Sequence, residues 1–371
     1  MTKERLTETS VNRRTFIRGA ALTATAVSMP WVRSAHASSD KFAGKELRVL
    51  TWSDATGKAA VKNILKPFEQ QTGAKIIADL TGTTSDMIAK IKASAARPQY
   101  DVVILSGFGA NALVEAGLLA KPDLSKIPNM SAVADKYKTG ADGFGVGYFL
   151  WSDGLLYNTK TYATPPKSYG VLWDDSNKGK IFVPSSTNLA AMELVIVATK
   201  LAGGDAFVDP EPGFKLLSEL KDRVLTISTN PNQLADLFRS GSLNAGGPYS
   251  PLVLTKFIND PAYHLSGTYD LDEGFFVDLQ YMVSPKGHPG DTEVVHALYD
   301  FALDPAVQGV MAEEVWYGPI NGDAVLSEAA RNNPNIPSPD VVKNRTNVVD
   351  GAALARVRDD WINRYKAAVG G

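Results

Sequence analysis

From residue 46 onward the chain alternates between two hydrophobic periods. Glu46-Leu47-Arg48-Val49-Leu50-Thr51-Trp52 alternates polar and apolar side chains, the signature of a strand. Ala60, Ile64, Leu65 and Phe68 then fall at helical spacing as far as Gly73. Pro67 sits inside that pattern, where its missing N–H must kink or restart the helix. Residues 74–78 predict a second strand, and Met87, Ile88 and Ile91 the apolar stripe of a second helix. Residues 101–105 form an unbroken apolar run after Asp101, the mark of a strand covered on both faces, and a helix is expected over 111–118, closed by Gly117. Strands alternating with helices predict βαβ units on a largely parallel sheet, an α/β fold.

The same grammar continues. Strands are expected over 146–157, 180–183 and 275–283. A strongly apolar helix is expected over 189–201, and others over 212–220, 234–238, 292–301 and 305–314. A Pro- and Asn-rich loop spans 332–339, and residues 352–368 predict a final amphipathic helix with Leu354, Val357, Trp361 and Tyr365 on one face. No repeat or low-complexity tract interrupts the pattern.

The first 37 residues stand apart. Asn12-Arg13-Arg14-Thr15-Phe16-Ile17-Arg18 precedes a short apolar run from Gly19 to Val27, and Ser34-Ala35-His36-Ala37 offers a small-residue cleavage site after Ala37. The paired arginines resemble a twin-arginine export signal; a general secretory signal with a basic start is the other reading. Either predicts export to the periplasm. Residues 1–37 carry six basic and two acidic side chains, so the rest of the chain has 32 basic against 38 acidic, a net of −6. That balance argues against nucleic acid or an anionic membrane as partner. Cysteine is absent, which excludes disulfides, thiolate metal sites, iron–sulfur clusters and a lipid-modified cysteine. No cofactor and no resident metal are expected, and the chain is expected to act as a monomer.

Enzyme signatures are scarce. His264, His288 and His296 are the only histidines after residue 37; none has HExxH spacing, and neither GxSxG nor GxxxxGK occurs. Gly143-Phe144-Gly145-Val146-Gly147 does not follow a strand and open a helix, as a dinucleotide site requires. Trp52-Ser53-Asp54, by contrast, stands at the end of the first strand, where α/β sheets bind ligands. An indole face attracts an alkylammonium by ~0.5–2 kcal/mol, and a carboxylate adds a charge-assisted hydrogen bond. The plainer reading packs Trp52 in the core and makes Asp54 a helix cap.

Several further landmarks occur in order: Phe68-Glu69-Gln70-Gln71-Thr72-Gly73, Thr83-Thr84-Ser85-Asp86-Met87, Tyr100-Asp101-Val102-Val103-Ile104-Leu105-Ser106, Trp151 with Gly154-Leu155-Leu156-Tyr157-Asn158, and Tyr317-Gly318-Pro319-Ile320-Asn321. With Trp52-Ser53-Asp54 they make residues 47–330 resemble the periplasmic solute-binding proteins of ABC importers, in the spermidine- and putrescine-binding branch. The resemblance implies a two-lobed α/β protein that hinges shut over solute in an inter-lobe cleft and presents it to an ABC permease and ATPase complex. It implies a first lobe of residues 44–148 plus 283–328, a second of 149–282 plus 340–371, and crossings near 147–151 and 280–284.

The resemblance also implies a site. Trp52, Ser53 and Asp54 match an aromatic, a hydroxyl and a carboxylate around one amine head. Ser106 ends a strand before the ligand, Phe108 replaces a frequent tyrosine, and Tyr249 falls near an aromatic that flanks the amine chain. The usual acid five residues before Pro285 is here Gln280; Asp278, two residues earlier on the same strand face, is the candidate substitute. Ser186 and Thr187 lie in a hydroxyl- and amide-rich loop where relatives supply acids, and this loop supplies none. Asp153 faces either cleft or solvent, and Tyr317 either reaches the cleft or packs under a loop. An unpaired buried ammonium is costly, so the expected solute carries an amine and a different second end: polyamine-like, amino acid-like or a short diamine. The competing readings are a ferric-iron binder, which would want a tyrosine pair absent here, and a periplasmic enzyme exported folded.

Overall fold

Three parallel strands, Glu46–Trp52, Lys75–Thr81 and Val102–Ser106, build one end of a long sheet. The computed structural model describes residues 40–370 apart from 139 and 350, so the export segment expected over 1–37 lies outside the described residues. Two long strands, Gly145–Asn158 and Phe275–Pro285, run antiparallel through the middle of the sheet. As far as Asp153 the former pairs with the latter; from Gly154 it pairs instead with Ala245–Tyr249 and Leu265–Thr268. Ile181–Val183 then joins Ala245–Tyr249 and Val224–Ile227 in parallel.

Each end of the sheet has its own cores. Val102 and Ile104 pack on one face with Val49, Phe149, Met282 and Leu298, while Val103 and Leu105 pack on the other with Leu50, Leu113 and Val283. That double covering is why residues 102–105 are uninterruptedly apolar. Leu155, Ile181, Leu194, Trp361 and Tyr365 form the second lobe's main core, and Leu156, Phe182, Leu234 and Phe257 its other layer. The result is an α/β protein of two lobes joined by two long strands.

Local sequence accounts for most elements. Pro67 is accommodated by a π-turn at Val61–Leu65, where Lys66 N–H bonds back to the Val61 carbonyl, so the helix restarts with the proline in its first turn. Helices at Leu189–Leu201, Thr292–Ala302, Pro305–Val315 and Gly351–Val369 lie where periodicity predicts them. The helix expected over 111–118 starts four residues earlier, at Gly107–Glu115, because Ser106 ends the strand and serves directly as the helix N-cap. The outgoing strand changes partners between Asp153 and Gly154, and on the return Phe276 still packs in the second core while Met282 packs in the first. Val342, in the helix Pro339–Arg345, joins the first core, and from Val349 the chain packs against the second.

Candidate functional site

The C-terminal ends of both sets of parallel strands open onto one cleft of 1240 Å³, the position where open α/β sheets bind ligands. Trp52 and Ser106 end first-lobe strands, and Tyr249 ends a second-lobe strand. Trp151, Asp153 and Asp278 come from the two connecting strands, which form the cleft floor.

On the first-lobe wall, the Trp52 indole N–H donates to Thr84 Oγ1 at 3.3 Å, and Thr84 Oγ1 lies 3.4 Å from Ser106 Oγ. Thr84 therefore ties two expected site residues together and lines the cleft itself; the sequence showed it only as part of a helix start. Asp54 is a helix cap that also lines the cleft. Its Oδ1 accepts from Gly57 N–H at 3.1 Å as the helix N-cap, and its exposed carboxylate lines the cleft. Tyr317 also lines the cleft: it is 3% exposed, its hydroxyl lies 3.0 Å from Thr56 Oγ1, and its ring packs edge-on to Trp151 in the cleft wall. Phe108 is 67% exposed on the rim, and Tyr249 is fixed by a 3.0 Å hydrogen bond from its hydroxyl to the Thr229 carbonyl.

Three expected residues do not line the cleft. Ser53 donates its backbone N–H to the Thr81 carbonyl, and alternation along the strand end brings Trp52 and Asp54 to the cleft instead. Ser186 and Thr187 sit in the turn before the helix Leu189–Leu201; the wall there is made by Asn188, Leu189, Ala190 and Glu193.

Glu193 corrects the expectation that this wall lacks an acid. It lies one turn into the apolar helix, 3% exposed, and its Oε2 has no hydrogen-bond partner among the described residues. Burial, then the neighbouring charges of Asp153 and Asp278, push its carboxyl well above the usual range. The signal in the sequence was a lone acid among Leu, Ala, Met, Val and Ile, since an acid is almost never fully buried unpaired.

Asp153 faces the cleft. Loss of hydration and the nearby Asp278 push its carboxyl up to about 7, although the Trp151 indole N–H donates to its Oδ1 at 3.3 Å. The Asp278 side chain is open to cleft water, yet the walls enclose it closely enough that desolvation pushes it up to about 6. Gln280 Nε2 donates to Asp278 Oδ2 at 3.1 Å, so Gln280 positions the acid rather than replacing it. Gly107 makes room for that carboxylate: a Cβ there would stand 2.7 Å from Asp278 Oδ1.

Six acids line the cleft: Asp54, Glu115, Asp142, Asp153, Glu193 and Asp278. Among the described residues no lysine, arginine or histidine lines it. Among the described residues no group of three or more His, Cys, Asp or Glu side chains is disposed to hold a metal ion, and no helix is long and apolar enough to cross a membrane.

Residues 63–338 match the family model for bacterial extracellular solute-binding proteins. The chain belongs to this family. It is 23% identical over 315 residues to the spermidine/putrescine-binding periplasmic protein 1 of Haemophilus influenzae, covering 82% of this chain and 85% of that one. It is 25% identical over 329 residues to the putrescine-binding periplasmic protein SpuD of Pseudomonas aeruginosa, covering 81% and 85%. Among solved structures, that of an ABC transporter from Clostridium perfringens superposes with a TM-score of 0.71 at 27% identity, covering 87% of this chain and 99% of that one. The chain is thus an extracellular solute-binding protein, and the relatives it resembles are named as polyamine-binding transport proteins, not enzymes.

Proposed function

We propose that this solute-binding protein captures a short amine with two cationic ends and delivers it to an ABC permease and ATPase complex. One observation carries the reading: among the described residues the cleft is lined by six carboxyls and no basic side chain. A cation gains from every one of those groups, whereas a solute carboxylate would meet no countercharge. The sequence favoured a solute with a different second end because the 185–188 loop lacks acid. Glu193, one helical turn further on, supplies it.

Trp52 and Asp54 face one end of the solute, Asp153, Asp278 and Glu193 the other, with Trp151 and Tyr249 offering aromatic faces between. Contacts from both lobes would favour the closed state. Export through residues 1–37 and delivery in the periplasm complete the proposal, in keeping with the named relatives. A thermal-shift panel of diamines, polyamines, amino acids, sugars and metal ions tests it. Diamines should stabilise the protein most, and less so with Asp54→Asn or Asp278→Asn. Stabilisation by sugars or metal ions but by no amine would overturn it.

A further inference from the structure

Three carboxyl groups converge on the cleft floor. On the connecting strands Asp153 lies opposite Phe276 and Asp278 opposite Trp151, so the two acids are diagonal neighbours on one face of the sheet. Glu193 reaches the same floor from the second-lobe helix, 3% exposed and with Oε2 unpartnered among the described residues. Among the described residues, the titratable groups around them supply no positive charge. Tyr169, Tyr249 and Tyr269 feel the charge of Asp153; Tyr169 also feels Glu193 and Glu273; Tyr281 and Tyr317 feel Asp278, and Tyr317 also Asp54. Trp151 and Gln280 donate only neutral hydrogen bonds.

Like charges in one enclosed site, without a counter-ion, cannot all be ionised together, and their protons belong to the group rather than to any one member. Resting on the cationic-solute reading above, we propose that Asp153, Asp278 and Glu193 hold a shared proton while the cleft is empty and release it to bulk water when an ammonium enters, so that capture exchanges a cation for a proton. The entering ammonium keeps its own protons and pairs with the newly ionised carboxylate. The displaced carboxyl proton passes to the buffer, so the charge at the three-carboxyl cluster stays the same, while the diamine's other ammonium, outside the cluster, adds its own charge to the cleft.

The ionisation directions agree with this geometry. Asp153 is pushed up to about 7, Asp278 to about 6 and Glu193 well above its usual range, all chiefly by burial. Where one whole proton is released, affinity rises by about tenfold per pH unit. The dependence should flatten above the highest of these values.

Two readouts test the exchange. In potentiometric titration without solute, the wild-type protein should take up more protons between pH 8 and pH 6 than Asp153→Asn, by roughly one; Glu193→Gln serves if that variant does not fold. In calorimetry with 1,4-diaminobutane at pH 6.5, the heat should differ between phosphate and Tris in the sense of proton release, and less so in the variant. Superimposable ligand-free titrations of wild type and variant overturn the shared proton. Diamine binding with the same heat in both buffers overturns the exchange. No heat from the diamine at all defeats the solute reading and the exchange with it, while the ligand-free titration still decides whether the carboxyls share a proton.

Discussion

An ionised carboxylate inside an apolar helix costs several kcal/mol unless something pairs with it, and Glu193 Oε2 has no such partner among the described residues. A bound ammonium is the partner the site implies. Glu193→Gln should therefore weaken diamine binding by about 10–100-fold while leaving the ligand-free protein at pH 8 at least as stable, as calorimetry and urea unfolding would show. Asp153 and Asp278 extend the same logic to pH. Their folded-state carboxyls hold protons more tightly than in the unfolded chain, up to about 7 and about 6. The stability they contribute is thus fully present below about pH 4 and is lost as pH climbs through those values. The ligand-free Tm should fall by several degrees between pH 5 and pH 8, with a flatter profile in Asp153→Asn. Below pH 4 the trend should reverse, as Asp79 and Asp270, held low by hydrogen bonds to Lys90 and Lys167, lose their ionised form. At this scale the sequence made Trp52 and Asp54 legible because they close the first strand, and Asp278 because it precedes Gln280 by two residues on one strand face. It hid Glu193 and Thr84, whose place in the cleft depends on how helices meet strands far away in the chain.

Elements were legible in proportion to their periodicity. The helix Leu189–Leu201 and the strands Glu46–Trp52 and Val102–Ser106 follow directly from apolar spacing. The strand Ala245–Tyr249 does not, because Ala-Gly-Gly-Pro-Tyr has the composition of a turn. Its glycine is needed for packing: a Cβ on Gly246 would stand 2.0 Å from Phe182 Cδ1. A strand that changes partners halfway likewise carries no mark of the change in its own alternation. Gly107 makes an element-level test of the site. At the start of Gly107–Glu115, a Cβ would meet Asp278 Oδ1 at 2.7 Å and the Leu279 carbonyl at 3.2 Å, so the helix and the connecting strand would be forced apart. Gly107→Ala should lower diamine affinity by about tenfold or more and cost about 1–3 kcal/mol of stability, read by calorimetry and denaturant titration.

For the whole molecule, a floor made of two strands and walls from two lobes mean that a solute touching both walls favours closure. Small-angle scattering should show a smaller radius of gyration with diamine than without, and Glu193→Gln should blunt the change at equal diamine concentration. The two-lobed α/β architecture was legible early, from βαβ patterning and ordered landmarks. The charge of the cleft was not, because it is a sum over residues from both lobes that no single motif contains. That sum is the core of the functional reading, and a matched set of solutes isolates it: 1,4-diaminobutane, 4-aminobutanoate and butane-1,4-diol share a four-carbon spacer and differ in the charge at their ends. Calorimetric titration of the three at pH 8 should rank the diamine tightest, the amino acid weaker by at least about tenfold and the diol without measurable binding. Equal or tighter binding of the amino acid or the diol would contradict a cleft built for two ammonium groups.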